Sequence, residues 1–579
     1  MYHHINPTET FGERHLLLRR EAEEKRRVRR SLRAPKAARA LRPTHKERME
    51  TEMIQTINNR TSGTVWSTKT LGACLMAVAV LLAACLMMAA QPAHAATTFT
   101  VNDTRDSPDA SSTAGGTCDI DVFNPGNQCT LRAAIQQANA TSGADTINFN
   151  IPFTGVQTIH VNSGGFGALP AITEQVTIDG YTQPLAHPNT LAVGDDAVLK
   201  IELDGTNTTG ESGLEILTAD SSVIKGLVIN RFSEGISISG DSVANRIEGN
   251  FIGTDPTGTL DRGNKFNGVN VTRGASENVV GGTTAGARNL ISGNSCNAVF
   301  VNGANNNKIQ GNYVGTDKTG TKTLANGDDF VCSAVEINDA SGNTVGGTTA
   351  GARNVISGNA AEGVLIVGGS QDDEVLGNRI GTTAGGTGPL GNGDAGVLIQ
   401  DSHNSVGDGT AAGSNTIAFN GTDGVQVRGN LSSGNKISRN SIFSNAGLGI
   451  DLVGGVEDAA GRTANDAGDV DAGPNGLQNK PVISSAKTVS GKTTIKGTLK
   501  SPPFEDLGYT IEFFSNPSGD EGKKFIGQKS VASNSSGTAT FTFSPASAVT
   551  VGQTITATAT VLRASETSEF SAPRTVASS

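Results

Sequence analysis

Four segments decide the reading of the chain: Cys296-Asn-Ala-Val-Phe-Val301, Cys332-Ser-Ala-Val-Glu-Ile337, Gly363-Val-Leu-Ile366 and Gly396-Val-Leu-Ile399. Each places a small residue before an apolar-x-apolar triplet. Further copies stand at Gly235-Ile-Ser-Ile238, Gly268-Val-Asn-Val271, Gly424-Val-Gln-Val427 and Gly449-Ile-Asp-Leu452, so the motif occurs eight times at intervals of 25 to 36 residues. A longer period overlies it. The nonapeptide Gly281-Gly-Thr-Thr-Ala-Gly-Ala-Arg-Asn289 returns unchanged at Gly346 to Asn354, and Gly-Thr-Asp-x-Thr-Gly-Thr occurs at 253 to 259 and at 315 to 321. Internal repetition of this kind marks a stacked architecture.

A strand with two branched aliphatic residues on one face cannot bury that face alone. Stacking copies in parallel pairs each backbone with the one above and below, and aligns like side chains in columns. The expected fold class is all-β, a parallel β-helix in which Val269, Val299, Val335 and Val364 form one inward column. A propeller would need four strands per repeat and an aromatic signature, and a leucine-rich solenoid its Leu/Asn frame; neither is present. Asn250, Asn294, Asn312, Asn359, Asn378, Asn420 and Asn440 read as residues stacked at corners, where Asn and Gly tolerate left-handed backbone. The alternate strand positions face outward in the row Ser237, Asn270, Phe300, Glu336, Leu365, Leu398, Gln426 and Asp451.

Register also predicts a covalent bond. Cys296 and Cys332 each precede the matching Ala298 and Ala334 by two residues, so they stack about one strand spacing, ~4.8 Å, apart. An unbonded cysteine ladder is the competing reading. Cys118 and Cys129 are the other candidate pair, whereas Cys74 and Cys85 fall inside an apolar run described below.

The open ends of a solenoid need plugs. Leu131, Ala134, Ile135 and Ala138 share one helical face, with Thr130 as N-cap, which predicts a helical plug. The segment Cys129-Thr-Leu-Arg-Ala-Ala-Ile135 resembles the Cys-Ser-Leu-Arg-Glu-Ala-Ile signature of the CSLREA domain family, found near the start of exported bacterial β-helix proteins. Thr130 stands for the Ser and Ala133 for the Glu. The resemblance covers residues 98 to about 150 and joins to repeats similar to those of right-handed pectin-lyase-like β-helix proteins. It implies a right-handed coil and a secreted or surface location, with no agreed chemistry.

The division expected from sequence is therefore 1–95 basic n-region and signal peptide, 96–150 CSLREA-like N-terminal cap, 151–460 parallel β-helix, 461–479 acidic linker, and 480–579 β-sandwich. The last is an immunoglobulin-like sandwich of about seven strands, among them Thr493–Leu499, Thr510–Phe514, Thr538–Phe543 and Thr554–Val561, without the Cys pair and Trp of antibody domains. Leu71 to Ala90 is apolar and uncharged and is followed by Ala93-His-Ala95, which suits cleavage after Ala95; an uncleaved anchor is the alternative and the one route to a membrane. The Arg-rich stretch 14–48 lies upstream of it, as a long n-region or the product of a start earlier than Met49 or Met53. Without residues 1–95 the chain holds 29 Lys/Arg and 47 Asp/Glu, an excess of acid that excludes nucleic acid as a partner of the main body. The expected partner is an extracellular glycan or a surface partner, and the expected location is secreted or cell-surface.

Chemistry is sparse. His160, His187 and His403 are too few and too scattered for a His-built metal centre, and no Cys-x-x-Cys occurs. Asp466, Asp469, Asp471 and Asn475 offer oxygen ligands for Ca²⁺ in one turn-rich loop, against the reading of a solvated acidic linker. For a polysaccharide lyase or hydrolase, paired carboxylates should lie about 5 to 9.5 Å apart. Glu336 and Asp451 are four rungs apart and cannot pair. Asp339 and Asp401, two rungs apart with His403 adjacent, are the weak catalytic candidates, acids at turns being ordinary caps. Asp255 and Asp317 read as loop-turn residues, and the Gly-His-Gly and Asn-Thr-Asp motifs of polygalacturonases are missing. The binding reading rests on Asn270, Phe300, Glu336, Leu365, Leu398 and Gln426 as an elongated exposed face, unless loops cover it. The leading reading is a secreted binding, adhesion or structural protein; the alternative is an enzyme on acidic polysaccharides.

Overall fold

The computed structural model describes residues 96–110, 117–327, 332–503 and 508–578. The n-region and signal segment read at 1–95 lie outside the described residues. The chain forms a right-handed parallel β-helix. Three parallel sheets of eleven, ten and nine strands run along it. The first extends from Thr98–Val101 to Lys436–Ile437, the second from Gln157–His160 to Ser441–Phe443, and the third from Ser212–Leu217 to Ile450–Val453. Each full coil contributes one strand to each sheet.

The register of the third sheet is the one the repeats predict. Val269, Val299, Val335 and Val364 are consecutive Cα partners, continued by Val397 and Val425, and all six are fully buried. The core is narrow, with one or two aliphatic side chains per strand. At ~25 cal/mol per Å² of apolar surface, each rung adds a modest, repeated increment of stability rather than one large cluster.

The corners are held by polar ladders. In one, Asn250, Asn289, Asn312, Asn354, Asn378, Asn415 and Asn440 stack, each Nδ2 donating to the next Oδ1 at 2.9 to 3.3 Å. A second runs Asn264, Asn294, Asn326, Asn359, Asn392, Asn420, Asn445. A third runs Asn245, Asn278, Asn307, Asn343, Asp373, Asn404, Asn435, Asn475. Buried amides placed this way satisfy one another and the corner backbone, removing the cost of desolvating them. Gly249, Gly311 and Gly377, at φ of 68°, 71° and 68°, supply the left-handed step into the first ladder.

Both predicted disulfides form, Cys118–Cys129 and Cys296–Cys332, the latter with a Cα–Cα distance of 5.0 Å. The N-terminal plug is the helix Leu131–Ala140, packed on Thr98–Val101 and Asp145–Phe149. Leu131, Ala134, Ile135 and Ala138 are buried, and Thr130 Oγ1 accepts the Ala133 N–H at 3.1 Å. Ala133 is buried too, so this position packs apolar core. Arg132 is tied to Asp106 by a buried ion pair at 2.9 Å and donates to the carbonyls of Gly167 and Ala168.

The C-terminal sandwich packs a sheet of Val482–Val489, Lys492–Lys500 and Thr538–Phe543 against a second antiparallel sheet centred on Tyr509–Asn516 and Thr554–Val561. It also closes the coil. Phe514 and Phe570, edge to face at 5.3 Å, belong to the apolar core of the helix. Four glutamates take the last coil's free N–H groups. Glu566 accepts from Gly434, Glu512 from Arg439 and the Ser438 hydroxyl, Glu521 from Ser444 and Asn445, and Glu569 from Leu452 and Thr463. Burial raises all four carboxyls, Glu569 to about 7.

Candidate functional site

The outward row of the third sheet is aligned rung by rung: Glu215, Ser237, Asn270, Phe300, Glu336, Leu365, Leu398, Gln426 and Asp451 are successive Cα partners. Its display differs from the expectation. Leu365, Leu398, Glu336 and Gln426 are only 5%, 3%, 5% and 9% exposed, whereas Asn270 and Phe300 are half-buried. Four of the six expected binding residues are thus covered, the polar Glu336 and Gln426 as well as the two leucines, and Asn270 and Phe300 are the two left partly open.

A second row, two residues before each strand's first inward residue and polar except at Ala395 and Leu448, runs beside it. Glu234 accepts both contacts of Asn270 Nδ2 at 3.0 Å. Asn297 Nδ2 donates to Glu336 Oε2 at 3.2 Å, Asn338 Nδ2 to Glu336 Oε1 at 3.2 Å, and Ser333 Oγ to Glu362 at 2.9 Å. Two atoms on this face, Asn270 Oδ1 and Ser239 Oγ, are buried without a partner. Burial raises the Glu234 carboxyl.

The row ends in a tighter cluster. Gln426 Nε2 donates to Asp423 Oδ2 at 2.7 Å and to Asp451 Oδ2 at 3.0 Å, and its Oε1 accepts from Arg428. The two carboxylate oxygens are bridged by one nitrogen and so lie close together. Burial, reinforced by the charge of Asp423, pushes Asp451 up to about 6, and burial raises Asp423 as well. Asp423 escaped the sequence reading because it lies off the strand row. The signal was present: Glu234, Asn267, Asn297, Ser333, Glu362 and Asp423 are all polar at one offset from their strands.

The weak catalytic candidates Asp339 and Asp401 both border Gly369, and each serves a turn. Asp401 Oδ2 caps Gly369 and Ser370 of the preceding coil at 2.8 and 3.1 Å. The ring of His403 lies against Gly434 of the following coil. Asp339 sits in left-handed backbone at φ 51°. These are turn geometries. Asp255 and Asp317 close their loops, each Oδ1 accepting two backbone N–H groups at 3.0 to 3.2 Å; in the third copy Thr383 Oγ1 takes one such N–H, from Gly388.

Asp466, Asp469 and Asp471 bring a carboxylate oxygen each to within 4.8 Å of one another. Burial and the neighbouring charges push Asp469 up to about 7 and raise Asp471, and Asp471 Oδ1 is buried without a partner. Asn475 does not join them. Its Oδ1 accepts the Asn435 N–H at 3.0 Å and its Nδ2 donates to the carbonyls of Asn435 and Thr567, because it terminates a corner ladder.

No family model matches the chain, and no curated protein does. Six solved chains match. A mutant of the periplasmic alginate epimerase AlgG overlays with a TM-score of 0.27 and 11% identity, over 50% of this chain and 64% of that one. The A-module of the Azotobacter vinelandii mannuronan C-5 epimerase AlgE4 gives 0.31 and 16%, over 55% and 86%. Tailspike protein 2 of the Escherichia coli O157:H7 bacteriophage CAB120 gives 0.25 and 11%, over 79% and 66%. The match spans under two thirds of the AlgG chain. Likenesses this distant bear on architecture alone, and the β-helix assignment rests on the sheet register itself.

Proposed function

We propose that the protein is an exported or cell-surface binding protein that holds an extended, hydroxyl-rich glycan along the outward face of its third sheet. The observation that carries this reading is the pair of buried, unpartnered acceptors, Asn270 Oδ1 and Ser239 Oγ, set among carboxylates and amides that suit sugar hydroxyls. The two disulfides fit an oxidising compartment. Under this reading residues 1–95 direct export, the Cys129–Ile135 segment is a cap of CSLREA type, and Ca²⁺ held by Asp466, Asp469 and Asp471 stiffens the approach to the sandwich. The acidity of the coil favours a neutral glycan over an acidic one. Calorimetry against a panel of neutral and acidic polysaccharides tests it: a neutral chain should bind, and Asn270→Ala should weaken it about tenfold, one lost hydrogen bond. Failure of every neutral glycan to bind, or an unchanged affinity in the variant, removes the reading.

One observation favours the enzyme alternative, a polysaccharide hydrolase or lyase: Asp423 and Asp451 share Gln426, with Asp451 raised toward an acid's role. Release of reducing ends, abolished in Asp451→Asn with binding retained, would select it.

A further inference from the structure

The coil and the sandwich differ in charge. Residues 96–479 hold 19 Lys/Arg against 40 Asp/Glu, whereas 480–579 hold 10 against 7. Four of those seven acids, Glu512, Glu521, Glu566 and Glu569, are turned into the last coil, which leaves the solvent side of the sandwich basic. Beside the junction, the last coil and the sandwich enclose an open cleft of about 520 Å³, within the range of ligand-binding clefts. Arg439, Lys523 and Lys524 line it, with hydroxyl and amide groups from Ser547 and Gln553, and none of its lining residues is acidic. Among the described residues none of the three cations enters a salt bridge. Aromatic rings hold two of them instead. The Arg439 guanidinium carbon lies 4.5 Å from the centre of Phe525 and Lys523 Nζ 4.2 Å from that of Phe443. Stacking fixes the plane of a guanidinium without neutralising it and keeps its edge donors in place for a planar anion. One of those donors makes a long contact, 3.4 Å, with the Gly409 carbonyl.

We propose that this cleft binds an acidic oligosaccharide, its carboxylate held by Arg439 and Lys524 and its hydroxyls by Ser547 and Gln553. Three cations outside any salt bridge, in a concave, polar surface on an otherwise acidic protein, select an anion. The opening to solvent and the row of hydroxyl and amide groups suit a sugar chain rather than a flat membrane surface. The site is separate from the third-sheet face and does not depend on it.

The test is calorimetry on the full chain at low ionic strength with tetragalacturonate and with neutral maltotetraose, on wild type and on the Lys523→Gln/Lys524→Gln, Arg439→Gln and Asp451→Asn variants. The two lysines are exposed, so the double variant keeps the fold even if Arg439→Gln does not. Tetragalacturonate should bind, weaken with added salt, lose at least tenfold in the lysine variant, and be unaffected by Asp451→Asn, while maltotetraose should not compete. Displacement of tetragalacturonate by maltotetraose, an unchanged affinity in the lysine variant, no uronate binding, or binding of phosphatidylserine vesicles or duplex DNA in its place would each overturn the proposal. Loss in Asp451→Asn would transfer the ligand to the sheet face.

Discussion

Asp373 occupies the fifth place of a corner ladder otherwise built of asparagine, and its Oδ1 accepts Asn343 Nδ2 at 3.1 Å while its Oδ2 is buried with no partner. Where Asn245, Asn278, Asn307 and Asn343 each donate a side-chain amide hydrogen to the next coil, Asp373 can do so only when protonated. Burial pushes its carboxyl up to about 7 from an ordinary 3.8. Because the folded value is the higher one, the folded state holds the proton more tightly. The group therefore costs nothing below about pH 4, and stability falls as pH rises from there toward 7. Asp373→Asn should raise the melting temperature by a few degrees at pH 8 and leave it nearly unchanged at pH 4.5; thermal melts of both proteins at the two pH values check this.

The Cys296–Cys332 bridge closes a span of 36 residues across consecutive coils. Loop-closure arithmetic for that length gives about 3 to 4 kcal/mol as an upper bound. A Cys118→Ser/Cys129→Ser protein, in which this is the remaining bridge of the coil, should melt several degrees lower in dithiothreitol than without it. No difference would mean that coil stacking alone holds the rungs.

Phe570 fills the open end of the coil against Phe514 and lies over Gly449. Phe570→Ala should cost about 3 to 5 kcal/mol and, by loosening the cap, expose the last rung for edge pairing. Lower thermal stability together with a concentration-dependent shift to oligomers in light scattering is the expected pair of outcomes.

Asp466, Asp469 and Asp471 crowd three carboxylates into one loop. Millimolar Ca²⁺ should raise the melting temperature by a few degrees through preferential binding to the folded state, and Asp469→Asn should remove most of that response. Melts with Ca²⁺ and with chelator measure it.

The coil was legible in the sequence because its signal is local and repeated: an apolar-x-apolar strand and a polar corner fix the pitch, and with it the column Val269, Val299, Val335, Val364 and the Cys296–Cys332 contact. Two thirds of the corner asparagines were not found. Asn-x-Ile-x-Gly-Asn marks Asn250 and Asn312, while Asn289 and Asn354, between them in the same ladder, follow a loop and share only the apolar pair after them. The capping role of the sandwich left no pattern at all. Glu512, Glu521, Glu566 and Glu569 are single residues whose common task exists only once two domains meet. The burial of Leu365 and Leu398 on the outward row is likewise not described by periodicity.

The direction of the corner amides has a consequence for how such a chain can lengthen. In the first two ladders each Nδ2 donates to the following coil, and in the second the final donor, Asn445, meets Glu521 of the sandwich at 2.9 Å. A carboxylate takes that hydrogen and has none to hand on, so the series terminates there. Duplication of a two-coil cassette in the interior, of the kind that the identical segments 281–289 and 346–354 record, preserves every link, whereas a coil added after Asn445 would find its donor already engaged.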